Sequence, residues 1–578
     1  MLRRLSSPRQ FSTNPKTIPK TNTKAKAKAK DMVKAKAKPF RPNIENLYSK
    51  KTPIEHVLLR PGMYVGSVSP MPASTSHYFD PLSHRMKPWE SLPLPLPLPS
   101  SLDEHSQMQK MQNQRPLIRP ALLKIFDEIL VNAADNYRRD PKGTTELDVN
   151  IDKVLGRISV RNNGAGIPVM VHGDHGVYLP ELLFGHLLTG SNFEDDDENS
   201  NSNSNSNFNS NSNSNSSSNS KRNSKRNSKY SSALTGGRHG YGAKLTNIFS
   251  SSFTVTTRDC ARGLDYTQSW SSNMSVMSPA LTKANDGLGG DFTEVAFEPD
   301  LSRLGSMTDY DYKAMVTRVA DVAGTNPNLR VTLNGELIDV DSFGSYCELY
   351  NDHDDNENDN DSDDDNDDVD NGKDDVNLGS ITTLNLNPRW TLGLSLSPPN
   401  TGYRCISFVN SLSTPRGGTH VDALESQIIN GVYSACVKAS GRRGSSSRGG
   451  KSKSKSMRYV SGQKSELLVV TNSLRFARCS KKNTDSLPIT RAMIKRRLSL
   501  YINALVENPS FDSQAKEHLT TPASLFGSSP LLKPSQLASL LSSTGLVPAI
   551  LSDAESRQQA TLSTEMAKIG TTRSSLAR

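Results

Sequence analysis

Four stretches of this chain cannot fold by themselves, and they dictate how the rest must be read. Residues 92–99 (LPLPLPLP) are restricted to extended polyproline. Residues 195–230 open acidic, run through Asn–Ser repeats and close on KRNSKRNSK, residues 351–375 are mostly Asp and Asn, and residues 441–456 are Gly, Ser, Arg and Lys. The Asn–Ser stretch holds too few apolar side chains to offset the entropy of being ordered. All four read as inserts in surface loops, where added length costs little. The Asp run lacks a fixed ligand spacing and a Gly turn, so it reads as solvated charge rather than a cation loop. At 34% apolar over 578 residues, the remaining text still suffices for two to four folded domains.

The charge is more lopsided than its total suggests. The segment 351–375 holds thirteen Asp, one Glu and one Lys, a net of −13; with the whole chain at +10, the remainder carries +23. Such a surface suits a polyanionic partner, of which nucleic acid is the usual one. The first thirty residues contain nine Lys or Arg and no acid. Within them MLRRLSSPRQFST has the Arg- and Ser-rich cast of a mitochondrial presequence, whereas KAKAKAK suits nuclear import or a grip on nucleic acid. A nuclear address is expected, with the mitochondrion as alternative. The cysteines (Cys260, Cys347, Cys405, Cys436 and Cys479) are scattered and odd in number, which argues against a disulfide framework and a zinc site. No apolar run approaches the ~20 residues of a membrane span, so a soluble intracellular protein with no membrane partner is expected.

Between the inserts, periodicity places the chemistry. In residues 120–137 (PALLKIFDEILVNAADNY) Leu122, Ile125, Phe126, Ile129, Leu130 and Ala133 recur at helical spacing, and Pro120 suits a helix start. Glu128, Asn132 and Asn136 follow at i, i+4 and i+8 and so share one polar stripe. A carboxylate there can polarise an attacking water, and an amide oxygen one turn on is a neutral, hard ligand suited to Mg²⁺. Residues 146–169 read as strand, turn and strand ending in Asn162-Asn163-Gly164-Ala165-Gly166, where spaced glycines would let backbone approach a flat ring. Gly236 through Lys244 form a Gly-rich loop that opens a helix and offers amides to phosphates. Its GxxGxG spacing lacks the preceding strand of a dinucleotide unit, and no P-loop GK[ST] is present. Residues 404–440 read as strand, turn and helix, and 488–507 as a basic helix followed by Gln514-Ala515-Lys516.

The order of helix, Asn–Gly loop and Gly-rich lid resembles the ATP site shared by gyrase, heat-shock chaperone, histidine-kinase and MutL ATPases. The wording is closer still. LYSKKTPIEHVLLRPGMYVGS, KIFDEILVNAADN, NNGAGIPV, LLTGSN, GGRHGYGAKLTNIFS, SFVNSLSTPRGGTHVD and NPSFDSQAKE together resemble the amino-terminal half of eukaryotic DNA topoisomerase II. The resemblance covers residues 43–350 and 376–530 without the inserts. It implies Glu128 as general base, Asn132 as the Mg²⁺ ligand, Asn136 as a nucleotide contact and Asn162 as reader of the adenine edge. Ser191 and Asn192 would hold the ribose or phosphate side. Gly237, Arg238, His239, Gly240, Tyr241, Gly242, Ala243 and Lys244 would wrap the triphosphate. Gln514 and Lys516 would reach in from a second domain to the γ-phosphate, with Lys516 counted among the catalytic residues. Tyr48 would cross to a partner subunit. His239 and Ala515 depart from the family's usual Asn and Thr, and the Asn–Ser insert lengthens the lid.

The expectation is an α+β protein. A basic tail (1–42) precedes a two-layer sandwich that binds ATP (43–300, insert 195–230). A ribosomal-S5-like transducer follows (301–530, inserts 351–375 and 441–456), and then a low-complexity tail (531–578). The resemblance implies ATP and Mg²⁺ as cofactors, duplex DNA as partner, and an ATP-driven homodimer clamp. An acidic EGDSA-type metal motif and a nucleophilic tyrosine in context are not found, so the expectation is an incomplete topoisomerase: a fragment, a truncated gene product, or one half of a split enzyme whose cleavage domain is on a separate chain. A MutL-like repair ATPase and a non-hydrolysing DNA-binding remnant are the alternatives.

Overall fold

A computed structural model describes residues 48, 50–92, 116–189, 234–236, 240–351, 381–399, 401–443 and 487–576. Two compact units make up the chain, Met1–Thr52 and Pro53–Arg578, and both lobes lie in the second.

The first lobe is built on a nine-stranded sheet. Its strands are β1 (Glu146–Asp152), β2 (Arg157–Asn163), β3 (Ser250–Asp259), β4 (Leu264–Ser271), β5 (Val276–Met277), β6 (Leu281–Ala284), β7 (Phe292–Pro299), β8 (Arg330–Leu333) and β9 (Glu336–Leu337). They run in the order β6-β4-β3-β7-β2-β1-β8-β9, with β5 also on β4, and every pairing is antiparallel except β1 with β8. Alternation along β1 and β2 buries Leu147, Val149 and Ile151, and Ile158 and Val160, on one face. Against that face pack α1 (Pro120–Arg139), α2 (Leu179–Gly185), α3 (Gly242–Ile248) and α4 (Asp309–Thr325). Pro120 does start α1, and its apolar stripe is buried. The starts of α1 and α4 are tied by one carboxylate. Asp311 accepts from the Arg119 amide at 2.7 Å and guanidinium at 2.9 Å, and with Thr308 it forms the capping box of α4.

The second lobe is a five-stranded sheet of β10 (Thr382–Asn387), β11 (Trp390–Leu396), β12 (Arg404–Val409), β13 (Leu412–Ser413) and β14 (Leu498–Ala504), ordered β10-β11-β14-β12-β13 with β12 parallel to β14. The helix α6 (Thr419–Arg443) contributes Val421, Leu424, Ile428 and Val432 to its core.

Three expectations change here. The domain boundary at 300 fails, because α4, β8 and α5 (Phe343–Glu348) complete the first core. Residues 488–507 are not one helix: α7 (Arg491–Arg496) is short, and β14 follows it directly. As a central strand β14 is buried on both faces, so it shows no alternation to separate it from a helix. The segment 531–578 is not a loose tail. It forms α8 (Pro534–Ser543) and α9 (Leu546–Leu576), whose Leu540, Leu546, Ile550 and Leu551 enter the second core. No single described helix is long and apolar enough to cross a membrane. Apart from Leu92, Asn351 and the backbone at 441–443, the four inserts lie outside the described residues.

Candidate functional site

A cavity of about 510 Å³ opens where α1, the end of β2, the start of α3 and a loop of the second lobe meet. Helical spacing puts Glu128, Asn132 and Asn136 along one wall, as the stripe requires. Asn162 continues the buried series Ile158, Val160 on β2, so the pleat turns a polar side chain into the apolar layer at the strand's end. Its Nδ2 donates to the Asn163 carbonyl at 2.9 Å, and across the ladder it faces Thr293 of β7, which also lines the cavity. Asn163 has a structural task, its Oδ1 accepting from the amides of Thr145 (2.7 Å) and Glu146 (2.8 Å).

The glycines of this loop serve packing. A Cβ on Gly164, whose φ is +89°, would lie 2.2 Å from Thr144 Oγ1, and one on Gly166 would lie 2.1 Å from the Arg258 carbonyl. Asn136 pins the same loop, donating to Thr144 Oγ1 (3.2 Å) and to the Ala165 carbonyl (3.4 Å). Asn132 is half-buried, and its amide has no hydrogen bond among the described residues.

Glu128 is the electrostatic centre. Its buried Oε1 lies 2.6 Å from Lys124 Nζ, outside hydrogen-bond alignment, and 3.6 Å from Lys516 Nζ. Burial alone would raise this carboxyl, but the charges of Lys124 and Lys516 outweigh it and hold the group at about 2. Glu128 is therefore ionised yet a feeble proton acceptor while both lysines hold it. Burial pulls Lys516 down from its ordinary value and the Glu128 charge opposes that pull. Lys516 also donates to the Gly236 carbonyl at 3.2 Å, from a backbone with φ of +61°. Gly242 closes on the other carboxylate oxygen: a Cβ there would lie 2.1 Å from Oε2. Across the cavity Lys244 donates to the carbonyls of Thr189 and Gly240, and burial lowers it to about 8.

The cavity thus brings together Glu128, Asn132, Asn136, Asn162, Gly240, Tyr241, Gly242, Ala243, Lys244, Gln514 and Lys516. Ser191, Asn192, Gly237, Arg238 and His239 lie outside the described residues. Tyr48 is exposed. Sequence reasoning missed Lys124, Thr189 and Thr293. Lys124 stands at i−4 from Glu128 and was within reach of helical spacing. Thr293 became visible only with the register of β7 on β2.

No protein-family model matches the chain. The ATPase and transducer domains of DNA topoisomerase II from Balamuthia mandrillaris match it with a TM-score of 0.62 and 35% identity, covering 89% of this chain and 99% of that one. The mitochondrial DNA topoisomerase 2 of Dictyostelium discoideum is 34% identical over 536 residues, and DNA topoisomerase 2 of Bombyx mori is 32% identical over 530. These alignments take in 90% and 91% of this chain but 34% and 26% of the relatives, so it spans about a quarter to a third of their length. Fold and site therefore define a two-domain module, an ATPase sandwich followed by a transducer. The chain belongs to the type II DNA topoisomerase family.

Proposed function

We propose that this chain binds ATP with Mg²⁺ in the cavity between its lobes and hydrolyses it, and that the event closes two copies into a clamp on duplex DNA. The observation that carries the reading is a convergence. A carboxylate, two amides and a Gly-rich helix start from one lobe share a cavity with a lysine from the other. Asn162 and Thr293 supply a polar edge at the apolar end, suited to a purine. Gly240 to Lys244 and Lys516 supply amides and ammonium groups suited to phosphates.

The metal fits this donor set. Among the described residues no group of three or more His, Cys, Asp or Glu could cage a cation. Mg²⁺ prefers water and phosphate oxygens with few protein ligands, and the uncommitted Asn132 amide is such a ligand. Once bound, the ion would neutralise charge developing on the phosphates. Glu128 orients the attacking water and accepts its proton, and Lys516 draws the second lobe toward the terminal phosphate. Ser191 and Asn192 are proposed to hold the ribose or phosphate side, Gly237, Arg238 and His239 to contact the triphosphate, and Tyr48 to reach the second copy.

DNA is the partner favoured by the +23 carried outside the acidic run. Strand passage would also need DNA-cleavage chemistry, which this nucleotide site does not supply. A nuclear location is proposed, with the mitochondrion as alternative.

Glu128→Gln tests the core of this reading. The variant is expected to bind ATP normally and to lose about 10²–10⁴-fold in turnover. Wild-type hydrolysis should rise when duplex DNA is added. Unchanged turnover in the variant would remove Glu128 from its role, and a wild-type chain that binds ATP without hydrolysing it would favour the DNA-binding remnant.

A further inference from the structure

Lys124 sits one turn before Glu128 on α1 and does not line the cavity. Its ammonium is buried and makes no hydrogen bond among the described residues; its one close charged contact there is Oε1 of Glu128 at 2.6 Å. Burying a lysine on so little is costly unless its partner requires it. Lys516 approaches the same oxygen at 3.6 Å but is shared with the Gly236 carbonyl and belongs to the other lobe. Of the two cations, Lys516 is the one a phosphate can recruit.

When Lys516 turns to a terminal phosphate, Glu128 is left as a buried carboxylate facing new negative charge. Without another cation it would take up a proton and cease to be a base. We propose that Lys124 is a positioning residue of the hydrolytic site, holding Glu128 ionised and aimed after Lys516 has left it. This rests on the proposed ATPase reading.

The remaining charges around Glu128 are otherwise engaged. On α4, Arg318 and Asp321 are paired with each other, and Arg318 also takes Asp127. On β2, Arg157 and Arg161 pair with Glu298 and Glu294 of β7. Further along α1, Asp135 holds the Gly236 amide and Arg138. On α3, Lys244 is committed to two backbone carbonyls.

The test uses the full chain with Lys124→Met, Lys124→Gln and Lys124→Arg, each alone and with Lys516→Ala. In steady-state hydrolysis, Met and Gln should lower kcat about tenfold or more, leave KM for ATP nearly unchanged, and move the acid limb of the pH–rate profile up by about one pH unit or more. Arg should return the profile toward wild type. Infrared difference spectra against Glu128→Gln read the same carboxyl without turnover, and should show it protonated at higher pH in the double variants than in Lys516→Ala alone. A lower melting temperature with unmoved pH profile and infrared titration would make Lys124 merely structural and overturn the proposal. A wild-type chain with no hydrolysis but the expected infrared shift would uphold Lys124's hold on Glu128 and overturn the ATPase reading instead.

Discussion

Adding one methyl group at Gly242 probes how tightly Glu128, the proposed base, is held. A Cβ built there lies 2.1 Å from Glu128 Oε2, 3.0 Å from its Cδ and 3.4 Å from its Cβ. A comfortable carbon–oxygen approach is about 3.3 Å, so the carboxylate must retreat by about 1.2 Å. It has little room to do so, because the group is buried and Lys124 stands 2.6 Å from Oε1. A misplacement of ~1 Å at a reacting group costs on the order of 10²-fold, and that is the loss of kcat expected for Gly242→Ala. The fold should lose no more than about 1–3 kcal/mol to the overpacking, partly offset because alanine is a better helix former than glycine by up to ~1 kcal/mol and Gly242 opens α3. Steady-state hydrolysis, binding of a fluorescent ATP analogue and thermal melting separate these effects. Gly62→Ala is the control, because a Cβ there meets nothing within 4 Å. A Gly242→Ala chain with near-wild-type kcat would show that Glu128 is not confined as described, or that its position does not govern turnover.

Two further outcomes follow from the lysines. Lys516→Ala should weaken ATP binding only modestly yet shift analogue-driven dimerisation about tenfold or more, a charge-assisted bond to phosphate being worth roughly 1.5–3 kcal/mol; light scattering that shows unchanged dimerisation would contradict the role. Lys244, lowered by burial to about 8, is charged below that pH and neutral above it. Nucleotide affinity should therefore fall as pH rises across about 7 to 9, and Lys244→Arg should flatten that dependence because a guanidinium stays charged. A flat wild-type profile in a fluorescence titration would refute it.

The residues that were legible beforehand are those whose placement follows from local geometry. Glu128, Asn132 and Asn136 fall on one wall because a helix repeats every 3.6 residues whatever surrounds it. Asn162 falls in the buried layer because it ends an alternation that starts at Ile158. Less legible were features decided by distant neighbours. Leu498–Ala504 is a strand because β11 and β12 flank it, and a uniformly apolar run carries no period of its own. Leu540 and Leu546 are core residues because α6 and the second sheet supply an apolar surface for them. The ion pair of Glu128 with Lys516 has no sequence signal apart from the family resemblance, since it crosses between lobes.

That crossing is what joins the motifs of the second lobe to the first. Leu519 bridges to Gly418 and Phe511, and a Cβ on Gly418 would lie 2.4 Å from the Leu519 carbonyl, so TPRGG and the loop bearing Gln514 and Lys516 are folded as one piece. The turn at Asn410 and Ser411 faces the other way. Arg318 and Thr325 of α4 both bond to Ser411, while Asn410 reaches the carbonyls of Val506 and Thr235. Gly236 then gathers all of it: its amide donates to Asp135 of α1, its carbonyl accepts from Lys516, and a Cβ on it would meet Val131 at 2.8 Å and the Asn410 carbonyl at 3.3 Å. The edge of the Gly-rich loop is thus held simultaneously by α1 and by the second lobe. On the proposed reading, a phosphate that draws Lys516 off Glu128 would loosen or reset the Gly236 contact as well, and so would couple nucleotide occupancy to the relation between the lobes.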